Sequence, residues 1–89
     1  MKRRAVHREQ EKGAVGHPVR RLREERGIHQ DVLAKRVGIT RETLNRIERG
    51  KRRPMELTIR ALARSLRVRR DLLVEEIQRW EDERCHGEL

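Results

Sequence analysis

Apolar residues recur at helical spacing in five short stretches of the chain, parted by glycines, prolines and charged loops. Pro18 suits a first helical turn, where its missing N–H is harmless, and Val19 and Leu22 begin a stripe that stops at Gly27. A second helix is predicted over Gln30–Val37, with Leu33, Ala34 and Val37 on one face. Gly38 reverses the chain, Thr40 caps a third helix over Arg41–Arg49, and Leu44 and Ile47 form its inner face. After a stop at Gly50 and a loop over Lys51–Pro54, Ile59, Leu62, Ala63 and Leu66 mark a fourth helix at i, i+3, i+4 and i+7. A fifth is predicted from about Arg70 into the 80s, with Leu72, Leu73, Ile77 and Trp80 sharing a face and fraying from Cys85 onward. No stretch alternates with period two, so the expected class is all-α. Residues 1–17 sustain no helical period and read as a flexible basic arm, 18–73 as the domain, and 74–89 as a helical extension.

The middle of the chain carries the chemistry. Leu33, Val37, Ile39, Leu44 and Ile47 can seal two helices crossing at roughly 90–120°, and Ala34 is small where their axes come closest. The second of these helices then turns Arg41, Glu42, Thr43, Asn45 and Arg46 outward, beside the basic loop Lys51, Arg52 and Arg53. A hydrogen-bond-rich helix flanked by cations is what reading base edges in a DNA major groove requires. Arg41 or Arg46 suits bidentate pairing with guanine. Glu42 can accept from cytosine, repel phosphate or pair with Arg46, and Asn45 can read adenine or face solvent.

Charge supports a polyanionic partner and locates it. The net charge is +9, but residues 1–17 hold +3, residues 18–68 hold +9 and residues 69–89 hold −3. The acidic tail is therefore expected to lie away from phosphate. With 34% hydrophobic residues and a single aromatic of the Phe, Trp and Tyr type, the core must be small and aliphatic, which favours an oligomer. No basic stretch has the apolar aromatic face that a membrane-surface helix needs, so a membrane partner is not expected.

The segments RRLREERGI, QDVLAKRVGITRETLNRIERGKRRP, LTIRALARSLRV and DLL together resemble the Cro/C1-type helix-turn-helix domain of lambdoid phage repressors and many bacterial regulators, from about Val19 to Leu73. The resemblance implies a five-helix lambda repressor-like domain whose third helix enters the major groove of double-stranded DNA, here with an extended C-terminal helix. It implies base reading by Arg41, Glu42, Asn45 and Arg46, backbone contacts from Gln30, Thr40, Thr43, Lys51, Arg52 and Arg53, and a buried ion pair between Arg23 and Glu48. His29 and Met55 stand where polar helix caps are usual, and Arg67 where glycine is usual.

The most direct function is a homodimeric transcriptional regulator, acting as a repressor on an inverted-repeat operator. The alternative is an antitoxin that binds a toxin through its C-terminal segment. Ile77 and Trp80 are the candidates for a dimer seam or partner-docking face, with packing inside the chain as the third option. The basic arm (Lys2, Arg3, Arg4, Arg8, Lys12) could add minor-groove or phosphate contacts. No nucleophile–base pair or phosphate-cradling glycine loop is evident, and the four histidines and single Cys85 lack metal-ligand spacing. Neither catalysis nor a cofactor is expected. The lone cysteine and the lack of a secretion signal point to a cytoplasmic, nucleoid-associated protein.

Overall fold

A computed structural model of the chain describes residues 16–88, with side chains as far as Arg84. The basic segment 1–15 and the Cys85 and His86 side chains lie outside the described residues. Five helices follow one another: α1 (Pro18–Glu25), α2 (Gln30–Val37), α3 (Arg41–Glu48), α4 (Glu56–Leu66) and α5 (Arg70–Glu88). No strand occurs among the described residues, and no helix among them is long and apolar enough to cross a membrane.

Local chemistry sets the helix ends. Thr40 Oγ1 accepts the Thr43 N–H at 3.0 Å and so satisfies one of the open donors of α3. Gly38 ends α2 in the left-handed region (φ 87°, ψ 28°), and the Ile39 N–H returns to the Ala34 carbonyl at 3.0 Å. Helices α2 and α4 start at His29 and Met55 without a side-chain cap. Helix α4 ends on Arg67 at φ 58°, a conformation that costs a residue with a Cβ about 1–2 kcal/mol.

Packing follows the apolar stripes. Helix α2 lies against α3 and α4, while α5 crosses α1 and α4. Val19, Leu33, Ala34, Leu44, Leu62, Ala63, Leu66, Leu73 and Ile77 form the buried core. Each fully buried leucine contributes about 1.5–3 kcal/mol at most, so a core of this size leaves little to spare.

Four expectations are corrected here. Ile77, a candidate for a seam between copies, is only 6% exposed within the chain's own core. Leu72, expected on the same face as Leu73 and Ile77, faces outward, one residue out of phase with buried Leu73. Helix α5 runs through Glu88, beyond the end expected near Cys85. His17, grouped with the arm, belongs to the domain: it is buried, and its Nδ1 accepts the Val19 N–H at 3.1 Å to cap α1. Its ring meets Trp80 of α5 edge to face at a centroid distance of 4.7 Å.

Burial, helped by Arg21 and Arg84, lowers the His17 pKa from 6.5 to about 4. The unfolded chain then takes up the proton first as pH falls. The stabilising contribution is complete above pH 6.5 and is lost progressively towards pH 4. Chemical denaturation should show this histidine contributing about 2 kcal/mol less at pH 5 than at pH 7. In His17→Asn, which keeps a capping acceptor without titrating, that part of the decline should vanish.

Candidate nucleic-acid interface

The third helix is placed by a polar anchor. Glu48, at the inner end of α3, is 5% exposed. It receives two hydrogen bonds from Arg23 of α1, Nε to Oε2 at 2.8 Å and Nη2 to Oε1 at 3.1 Å. Arg23 also donates through Nη1 to the Ile28 carbonyl at 2.9 Å, tying in the α1–α2 loop. Gln30 then donates to Glu48 Oε1 at 3.1 Å and accepts from Arg41 Nε at 3.3 Å. One continuous polar chain therefore runs from α1 to the first residue of α3. Gln30 stands inside it, oriented from both sides at the start of α2.

The outer face of α3 is open. Arg41, Glu42 and Arg46 are exposed, while Thr43 and Asn45 are half-buried at the edge of the ridge. Arg46 pairs with Glu42 one turn earlier at 2.9 Å, both side chains being more than half exposed. A surface pair of this kind is worth well under 1 kcal/mol, so Arg46 can exchange it for another acceptor at little cost. The Thr40 hydroxyl donates to Thr43 Oγ1 at 2.8 Å while capping the helix, which engages both threonines locally. The Asn45 side chain has no hydrogen-bond partner among the described residues.

The basic loop follows directly. Gly50 (φ 74°) turns the chain out of α3, the Lys51 N–H closes on the Arg46 carbonyl at 2.8 Å, and Lys51, Arg52 and Arg53 are exposed before buried Pro54. Lys51 and Arg52 have no acidic partner among the described residues, whereas Arg53 donates to Glu81 of α5. The acidic helix is thus beside the loop, not remote from it.

Trp80, the other seam candidate, reinforces this correction. A Cβ at Gly50 would lie 2.5 Å from Trp80 Cη2, so the indole rests on the end of α3. The Arg84 guanidinium lies 4.6 Å from the same ring's centroid. Locally, the sequence marks Gly50 only as a helix stop and assigns no role to His17 or Arg84. The His–Pro step before α1 was the one local signal available for His17. The approach of Trp80 to Gly50 joins residues thirty positions apart and leaves no periodicity to detect.

Residues 19–73 match the helix-turn-helix family. An uncharacterized HTH-type transcriptional regulator, y4dJ of Sinorhizobium fredii, is 39% identical over 54 residues, covering 61% of this chain and 70% of that protein. An uncharacterized HTH-type transcriptional regulator of Methanothermobacter thermautotrophicus is 40% identical over 48 residues, covering 54% and 70% respectively. No solved structure matches the chain.

Removing one member of the anchor leaves a buried charge without its counter-ion. Urea unfolding of Glu48→Ala should show a loss of about 3–5 kcal/mol. A double-mutant cycle with Arg23→Ala should give clear coupling. Additive effects would mean the two side chains act independently.

Proposed function

Because this chain belongs to the helix-turn-helix family, in its Cro/C1 type, we propose that it is a sequence-specific transcriptional repressor that binds an inverted-repeat operator as a homodimer. The observation that carries this is the α3 ridge: Arg41, Glu42 and Arg46 face water on a helix whose inner end is locked by a buried ion pair. Such a ridge fits the major groove with Arg46 or Arg41 on guanine, Glu42 and Asn45 on neighbouring bases, and Lys51, Arg52 and Arg53 along the phosphates. Gln30, Thr40 and Thr43 lie at the mouth of the groove and contribute backbone contacts. Occupancy of a site overlapping a promoter excludes polymerase, and repression needs no more than that.

Selection of bound duplexes from a random library should return a palindromic consensus with half-sites about 34–36 Å apart. On that consensus, Arg46→Ala should cost about 1–3 kcal/mol and relax preference at one base pair per half-site, while Arg52→Ala should weaken all sequences alike. No enrichment, or enrichment that survives Arg46→Ala unchanged, would remove the base-reading assignment.

With Ile77 and Trp80 engaged inside the chain, both the original seam and the toxin-docking alternative lose the side chains they relied on. Apolar area remains exposed at Met55 (68%), Leu57 (77%) and Leu72 (45%). Met55 and Leu57 adjoin Glu56 in sequence and Leu72 follows Arg70 by two residues, and the Glu56–Arg70 pair, with Arg70 Nη2 donating at 2.8 Å, joins the starts of α4 and α5. That patch is the seam we assign to the dimer. In sedimentation, Leu57→Glu with Leu72→Glu should be monomeric and should bind the full operator no better than a half-site. A dimer that persists would place the seam elsewhere.

A further inference from the structure

We propose that α5 is part of the DNA-binding surface, with Arg84 acting as a phosphate contact held against the end of the recognition helix by Trp80. This rests on the DNA-binding function proposed above and adds to it an element that the helix-turn-helix itself does not contain. Several contacts converge on the point. The Trp80 indole lies on Gly50, close enough that a Cβ there would be 2.5 Å from Cη2. Arg84, one turn later on α5, has its guanidinium 4.6 Å from the Trp80 ring centroid, and its Nη1 would also collide with a Cβ at Gly50. Glu81, between them, accepts a hydrogen bond from Arg53.

The consequence is electrostatic. Gly50 immediately precedes Lys51, Arg52 and Arg53, so Arg84 adds a cation from a distant part of the sequence to that loop. Arg84 is exposed and has no acidic partner among the described residues, in contrast to Arg53. Stacking on an indole is the arrangement that holds a guanidinium in place while leaving its N–H donors free for oxygen acceptors. An arginine fixed in this way loses less side-chain freedom on meeting a phosphate than one loose in solvent. Trp80 is the positioning residue, and its ring packs in turn against that of His17 just before α1. The surface therefore extends from α3 through the loop to the outer half of α5.

The test is the salt dependence of binding to a duplex of arbitrary sequence, which does not require the operator. The full chain is compared with Arg84→Ala and Arg84→Lys, alongside their thermal unfolding. Loss of one phosphate contact should make Arg84→Ala bind several-fold more weakly and flatten the log–log salt slope by about 0.9. Its melting temperature should stay near that of the unsubstituted chain, and Arg84→Lys should keep most of the slope. An unchanged slope in Arg84→Ala would overturn the proposal. So would a lysine variant as impaired as the alanine one with a matching loss of melting temperature, since that marks a packing role. If Arg46→Ala relaxes preference at its own base pair while Arg84→Ala leaves the slope intact, base reading stands and only the role of α5 falls. If the unsubstituted chain binds no duplex, both fall together.

Discussion

The geometry of the whole interface depends on one buried ion pair, Arg23 with Glu48. The aliphatic contacts that seal α2 against α3 are non-directional and by themselves leave the angle between the helices loosely defined. The bidentate pair supplies what the aliphatic core lacks: a directional constraint with two hydrogen bonds of 2.8 and 3.1 Å. Burying both charges gains little net stability, because desolvation offsets most of the attraction. What it supplies is intolerance of misplacement. Any tilt of α3 that separated Glu48 from Arg23 would strand a charge in the core. Gln30 carries the same constraint outward to Arg41, so the first residue of the ridge is oriented by a salt bridge at its opposite end.

A second constraint comes from the C-terminal helix. Its acidic composition argues for distance from a polyanion, and in an isolated helix that argument would hold. In the folded chain the inner face of α5 decides the matter. Leu73 and Ile77 enter the core and fix the helix axis, and the same axis then brings Trp80 onto Gly50. Glu81 follows as a counter-ion for Arg53, while Glu75, Asp82 and Glu83 remain exposed. The charge of a segment sets its preference, but the apolar residues beside it set its place.

The domain also tolerates local imperfections that a larger core would make trivial. Two of its helices start without a side-chain cap, and Arg67 occupies a left-handed conformation that glycine would adopt freely. Against these stand the Thr40 cap, the His17 cap and the Glu56–Arg70 pair, which ties the starts of α4 and α5. A small aliphatic core with such a balance gains from any partner that binds only the folded state.

By themselves, the residues determined the number of helices, their order and the outward ridge of α3. Those features are written in local periodicity, in Gly38 and Thr40, and in the identity of single turns, all of which act over fewer than eight positions. The tertiary structure alone decided that Ile77 lies inside, that Leu72 lies outside, and that His17, Gly50, Trp80 and Arg84 meet at one point. An apolar face wide enough to reach several neighbours does not say which of its members is covered. That depends on where α1 and α4 end and on the angle at which α5 crosses them. Most of these contacts join residues thirty or more positions apart, and no repeat along the chain encodes them.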